Sequence, residues 1–124
     1  MTGLTFDTGA LIALERRQLR MKEVLERAMA RDLPITVPAD VVGEWWRGRT
    51  DLRESILASV DVEPLTETLA RRAGEALAAV RGATLVDAVV MASAASRGDV
   101  VYSGDVEDLD RLRRHFPGVR VLRA

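Results

Sequence analysis

The stretch Leu4-Thr5-Phe6-Asp7-Thr8-Gly9-Ala10-Leu11-Ile12-Ala13-Leu14 (LTFDTGALIAL) decides how the chain reads. Leu4 to Asp7 is a short apolar run ending on an acid, which predicts a buried strand. Thr8 to Arg17 follows at once, with Leu11, Ile12 and Leu14 apolar, and predicts a helix. A strand that passes straight into a helix is the first half of a βαβ unit. Asp7 stands on the boundary.

The same alternation continues outward. Leu19 to Arg31 predicts a second helix with Val24, Leu25 and Ala28 on one face, and Ile35 to Val37 a short strand. Pro38 suits the first turn of a helix running to about Arg47. Asp51 to Ser59 is helical, capped by Thr50 or Asp51. Val60 to Leu65 is extended. Thr66 caps a helix through Val80, and Glu67 favours its first turn. Leu85 to Ser96 is a strongly apolar helix ended near Gly98. Val100 to Tyr102 is a strand, Val106 to His115 a helix, and Val119 to Leu122 a last strand at the sheet edge. The whole is an α/β domain spanning residues 1–124, with four or five short parallel strands. Strand order is not legible in the sequence.

Composition narrows the function classes. With 124 residues the chain can bury a core, and its 48% apolar and 30% charged shares suit a globular protein. It has no cysteine, so thiol chemistry and disulfides are excluded. The longest near-apolar stretch, Ala88 to Ala95, falls far short of the roughly 20 residues that span a bilayer. The N-terminus lacks the pattern of a signal peptide, so a cytoplasmic protein is expected. A net charge of −1 does not indicate a non-specific nucleic-acid binder. Lys22 is the single lysine; every other basic residue except His115 is arginine, including Arg47 and Arg49 and a group from Arg111 to Arg123. Arginine grips phosphate in a two-pronged geometry that lysine lacks.

Four acids stand out by position. Asp7 ends the first strand, and it also suits a helix N-cap. Glu44 lies beside Val41 and Trp45 at the border of an apolar helix face; a pair with Arg47 is the alternative reading. Asp40, one turn earlier, suits the helix dipole. Asp87 shares a stripe with Val90, Met91 and Ala94, where an ionised carboxylate is costly unless partnered. Asp105 follows a strand, and with Asp108 it resembles a capping pair. Strand ends of a parallel sheet line up along one edge. Carboxylates gathered there repel one another unless a cation sits between them, and Mg²⁺ or Mn²⁺ prefers such oxygen ligands. An ion so held can activate water against phosphorus and stabilise a leaving oxygen.

Four stretches in order, FDTGALIAL (Phe6 to Leu14), VPADVVGEWWRG (Val37 to Gly48), LVDAVVMASAASRG (Leu85 to Gly98) and YSGDVEDLDRL (Tyr102 to Leu112), resemble the PIN-domain ribonucleases, specifically the toxins of VapBC-type toxin–antitoxin pairs. The resemblance covers nearly the whole chain. It implies a three-layer α/β/α fold and cleavage of RNA dependent on Mg²⁺ or Mn²⁺. It puts Asp7, Glu44, Asp87 and Asp105 in the acidic, metal-holding set, with Asp108, Thr8 and Ser103 in support. It implies a small antitoxin as partner and a homodimer. Two positions depart from the common pattern: Gly9 replaces a serine, and Ser103-Gly104-Asp105 stands where Thr-Ser-Asp is usual.

Two other classes remain to be weighed. A catalytically silent PIN-like scaffold binding protein or RNA would be indifferent to loss of Asp7 or Asp87. A phospho-acceptor signalling domain wants a lysine after a late strand, and Lys22 lies in a helix instead. His115 alone excludes a two-histidine mechanism. Trp45 is expected in the core, and Trp46 further round the helix.

Overall fold

The structure is a computed structural model that describes residues 2–124. Five strands form one sheet: β1 (Leu4–Phe6), β2 (Ile35–Pro38), β3 (Asp61–Glu63), β4 (Val100–Ser103) and β5 (Arg120–Arg123). Their order is β3-β2-β1-β4-β5, and every neighbouring pair is parallel. The chain therefore starts in the middle. It builds β2 and β3 to one side, then returns to build β4 and β5 on the other. The seam between β1 and β4 is the topological switch point, where open parallel sheets bind their ligands at the strands' carboxyl ends.

Seven helices join the strands: α1 (Thr8–Glu15), α2 (Leu19–Ala30), α3 (Ala39–Trp45), α4 (Asp51–Ala58), α5 (Glu67–Ala79), α6 (Leu85–Arg97) and α7 (Val106–Leu112). α1 packs on β1 and β4 and gathers α2, α3 and α4 around it. α6 lies across β1, β2 and β4 and gathers α5 and α7. The sheet is the middle of three layers, as the sequence predicts for an α/β/α chain. Among the described residues no helix is long and apolar enough to cross a membrane.

Burial explains the element types. β1 and β2 carry Phe6 and Val37 fully buried, and α6 buries every residue from Ala88 to Ala94. Each large apolar side chain so enclosed contributes roughly 1.5–3 kcal/mol. Local chemistry sets the helix ends. Thr50, Thr66 and Thr84 cap α4, α5 and α6 by accepting from the backbone N–H three residues on. Gly98, with φ +73°, ends α6 in a left-handed turn. Three helix ends fall two or three residues short of the expectation. α1 stops at Glu15 rather than Arg17. α3 stops at Trp45 because Trp46 is extended, and α7 stops at Leu112, leaving His115 exposed in the turn beyond. Trp45 is buried as expected, and Trp46 is half-buried against the core.

One polar network ties the two halves of the sheet. Arg97, at the end of α6, donates to Asp99 Oδ2 at 2.9 Å, to Thr5 Oγ1 at 3.0 Å and to Ser93 Oγ at 2.8 Å, and it pairs with Glu63 at the end of β3. The Thr5 and Ser93 hydroxyls in turn donate hydrogen bonds to Asp99 and Glu63. Asp99 is buried, and that guanidinium is its ion-pair partner.

Candidate functional site

The loops that follow β1 and β4 meet at the switch point. Asp7 leaves β1 and caps α1: its Oδ1 accepts from the Ala10 N–H at 3.0 Å and the Gly104 N–H at 3.3 Å. The buried Ser103 hydroxyl donates to its Oδ2 and in turn accepts from the Asp105 N–H at 2.8 Å. Asp7 is thus a helix cap and part of the gathered acids at once. The two sequence readings are not exclusive.

The loops approach very closely. A Cβ on Gly9 would lie 2.5 Å from the Gly104 Cα, and one on Gly104 would lie 2.9 Å from the Gly9 Cα. The two positions that depart from the usual toxin pattern therefore face each other, and neither tolerates a side chain in this packing.

A cavity of 360 Å³ opens at this seam, and Asp7, Thr8, Glu44, Asp87, Asp105 and Asp108 line it. Five carboxylates from four separate stretches of sequence share it, and among the described residues no basic side chain lines it. Glu44 reaches it from α3. It does not pair with Arg47; its Oε1 accepts the Thr8 hydroxyl at 2.6 Å. Arg47 donates to the Trp46 carbonyl instead. Asp87 enters from the first turn of α6, beneath the Thr84 cap. Asp105 is at the N-cap position of α7 but makes no capping bond, so the expected capping pair with Asp108 does not form. Asp40 does not line the cavity. Its two carboxylate oxygens are buried without a hydrogen-bond partner among the described residues. Thr84 is a lining residue that sequence reasoning misses. A threonine three residues before Asp87 is the visible signal, since that spacing marks a helix start.

The electrostatics follow from crowding. Burial raises the Asp7 carboxyl above its usual range, against the hydrogen bonds from Ser103 and the backbone. Burial also raises Asp87, to about 6, and the charges of Asp7, Asp105 and Asp108 add to it. Asp105 is raised first by a hydrogen bond shared with the Asp108 carboxyl, then by slight burial and by neighbouring negative charge. Among the described residues no three acids close into a finished cage for an ion. The donors nevertheless suit a hard divalent cation, being carboxylate and hydroxyl oxygens in a cavity that lacks any other positive charge.

These shifts predict a pH dependence. The unfolded Asp87 carboxyl ionises near 3.8 and the folded one near 6. Between those values the folded chain holds a proton that the unfolded chain has released, so stability falls as pH rises. Below the unfolded value the stabilising contribution is complete; above the folded value it is lost. In EDTA, urea denaturation should show wild type losing stability from about pH 4 to pH 6 relative to Asp87→Asn. Identical profiles for the two proteins would refute this account of Asp87.

The sequence matches the PIN domain family over residues 4–114. Comparison with curated proteins finds no match. Among solved structures, the chain is similar to DNA-bound VapBC from Salmonella typhimurium, with a TM-score of 0.77 at 16% identity, covering 99% of this chain and 98% of that one. It is similar to VapBC2 from Rickettsia felis bound to a promoter DNA fragment, with a TM-score of 0.76 at 11% identity and 98% of each chain covered. A toxin–antitoxin complex from Klebsiella pneumoniae gives a TM-score of 0.69 at 18% identity, over 98% of this chain and 96% of that one. At such identities the likeness is one of fold.

Proposed function

The chain belongs to the PIN domain family, and from that premise we propose that it is a divalent-metal-dependent endoribonuclease, the toxin of a type II toxin–antitoxin pair acting in the cytoplasm. The observation that carries this reading is the gathering of five carboxylates on one cavity at the switch point of a parallel sheet. Asp7, Glu44, Asp87 and Asp105 are the proposed ligands of Mg²⁺ or Mn²⁺, with Asp108, Thr8 and Ser103 in support. When bound, a divalent cation supplies Lewis-acid activation of water and of the phosphoryl oxygens.

The protein's own residues prepare that chemistry. Ser103 and two backbone N–H groups hold Asp7 in one orientation. The Thr8 hydroxyl aims Glu44. Burial and the neighbouring acids push the Asp87 carboxyl up to about 6, so a cation bound there competes with a proton. Without a cation those carboxylates keep a phosphodiester from the reacting position at the acidic cavity, so cleavage depends on the metal. The Klebsiella pneumoniae relative is a toxin–antitoxin complex; the partners proposed here are likewise a small antitoxin and a second copy of the chain.

The test is cleavage of single-stranded RNA by the purified protein. Products are expected with Mg²⁺ or Mn²⁺ and none in EDTA. Equal cleavage in EDTA, or none with either ion, would overturn the reading.

A further inference from the structure

Beside the acidic cavity lies a second one of opposite character. It measures 410 Å³, and Glu44 lines both, forming the wall between them. Three arginines line it, Arg16, Arg47 and Arg53, with Glu15 as the other acid.

Their commitments differ. Arg53 is fully occupied: its Nε and Nη2 hold Glu15 Oε2 at 3.0 and 2.8 Å, and its Nη1 donates to the Gly48 carbonyl at 2.9 Å. The other Glu15 oxygen accepts the Trp45 indole N–H at 2.9 Å. Glu15 and Arg53 therefore cancel each other and brace the wall. Glu44 is engaged by Thr8. The Arg16 guanidinium makes no hydrogen bond or ion pair among the described residues, and that of Arg47 donates only to the Trp46 carbonyl. Both are exposed. Two guanidinium groups thus face a cavity that holds no free carboxylate for them except Glu44, which already has a partner.

We propose that Arg16 and Arg47 form a phosphate subsite, which holds the RNA phosphodiester next to the one positioned at the acidic cavity. The proposal rests on the nuclease reading and extends it. An RNA strand lying across Glu44 would meet negative charge on one side and uncompensated positive charge on the other. The second cavity offsets the repulsion of the first and sets the register of the strand without reading a base. Arginine suits the task because its planar fork grips phosphate oxygens in pairs.

The probe is a fluorescent single-stranded octaribonucleotide, with anisotropy measured in EDTA across a salt series so that nothing is cut. Wild type should bind, and log K should fall linearly with log salt. The double variant R16A/R47A should bind several-fold more weakly, with a slope flatter by about 0.7, as expected when one phosphate of a single strand is no longer neutralised. R16K/R47K should keep the slope while binding more weakly than wild type, since charge remains but the fork does not. Arg31→Ala, at the far end of α2, is the exposed control and should match wild type. An R16A/R47A slope equal to that of wild type, or no binding by wild type in EDTA, overturns the subsite. If wild type still cuts RNA with Mg²⁺ in that case, the nuclease reading survives alone. If wild type neither binds nor cuts RNA, both fall.

Discussion

Asp7→Asn is expected to lower RNA cleavage by at least about 100-fold while leaving the thermal midpoint in EDTA equal to or above that of wild type. The activity figure follows from metal sites in general, where losing even a partner of a ligand costs about 10–100-fold. Loss of a ligand should cost no less. The stability half follows from burial. Asp7 is only 5% exposed, and its carboxyl is raised above the usual range because enclosure disfavours the ion. Asparagine keeps an oxygen for the Ala10 and Gly104 N–H groups and offers its amide to the Ser103 oxygen. It removes a buried charge without opening a cavity. Cleavage within about tenfold of wild type would instead support a scaffold that does not need this acid. A drop of the midpoint would show that the bond Ser103 donates to the carboxylate, which an amide nitrogen cannot accept, outweighs the cost of burying the charge.

Arg97→Ala should cost about 3 kcal/mol of folding stability, near the lower end of the range for breaking a buried pair. Arg97 and Glu63 are 28% and 29% exposed, so solvent weakens that interaction. The Asp99 side chain is 4% exposed and would be left charged with only the Thr5 hydroxyl to hold it. Urea denaturation measures the loss, and a change below about 1 kcal/mol would mean that Asp99 finds other solvation. Arg97 ends α6, whereas Asp87 lies in its first turn, about 15 Å away along the helix. Folded Arg97→Ala should therefore still cleave RNA, which separates this network from the acidic cavity.

Much of this molecule can be read before folding. The first strand and helix, the apolar helix from Leu85 with its end at Gly98, and the parallel α/β class all follow from hydrophobic period and end signals. Glu44 is conspicuous because an acid beside Val41 and Trp45 lacks a good local reason. The alternative reading, a pair with the nearby Arg47, is the one the structure rejects: the bond goes to Thr8, 36 residues away. Helical spacing reports neighbours on one helix and says nothing of a hydroxyl brought in by another. The same limit hides the tie between Arg97 and Glu63 and the close approach of Gly9 to Gly104.

The residues themselves, by local periodicity and capping chemistry, determined which segments are strands, which are helices, and that acids stand at their junctions. Strand order was decided only in three dimensions, because pairing energy depends on which faces meet and not on any short stretch of sequence. That order sets β4 beside β1. It brings Asp7 and Asp105 to one cavity though 98 positions separate them, and it sets the arginine-lined cavity against Glu44.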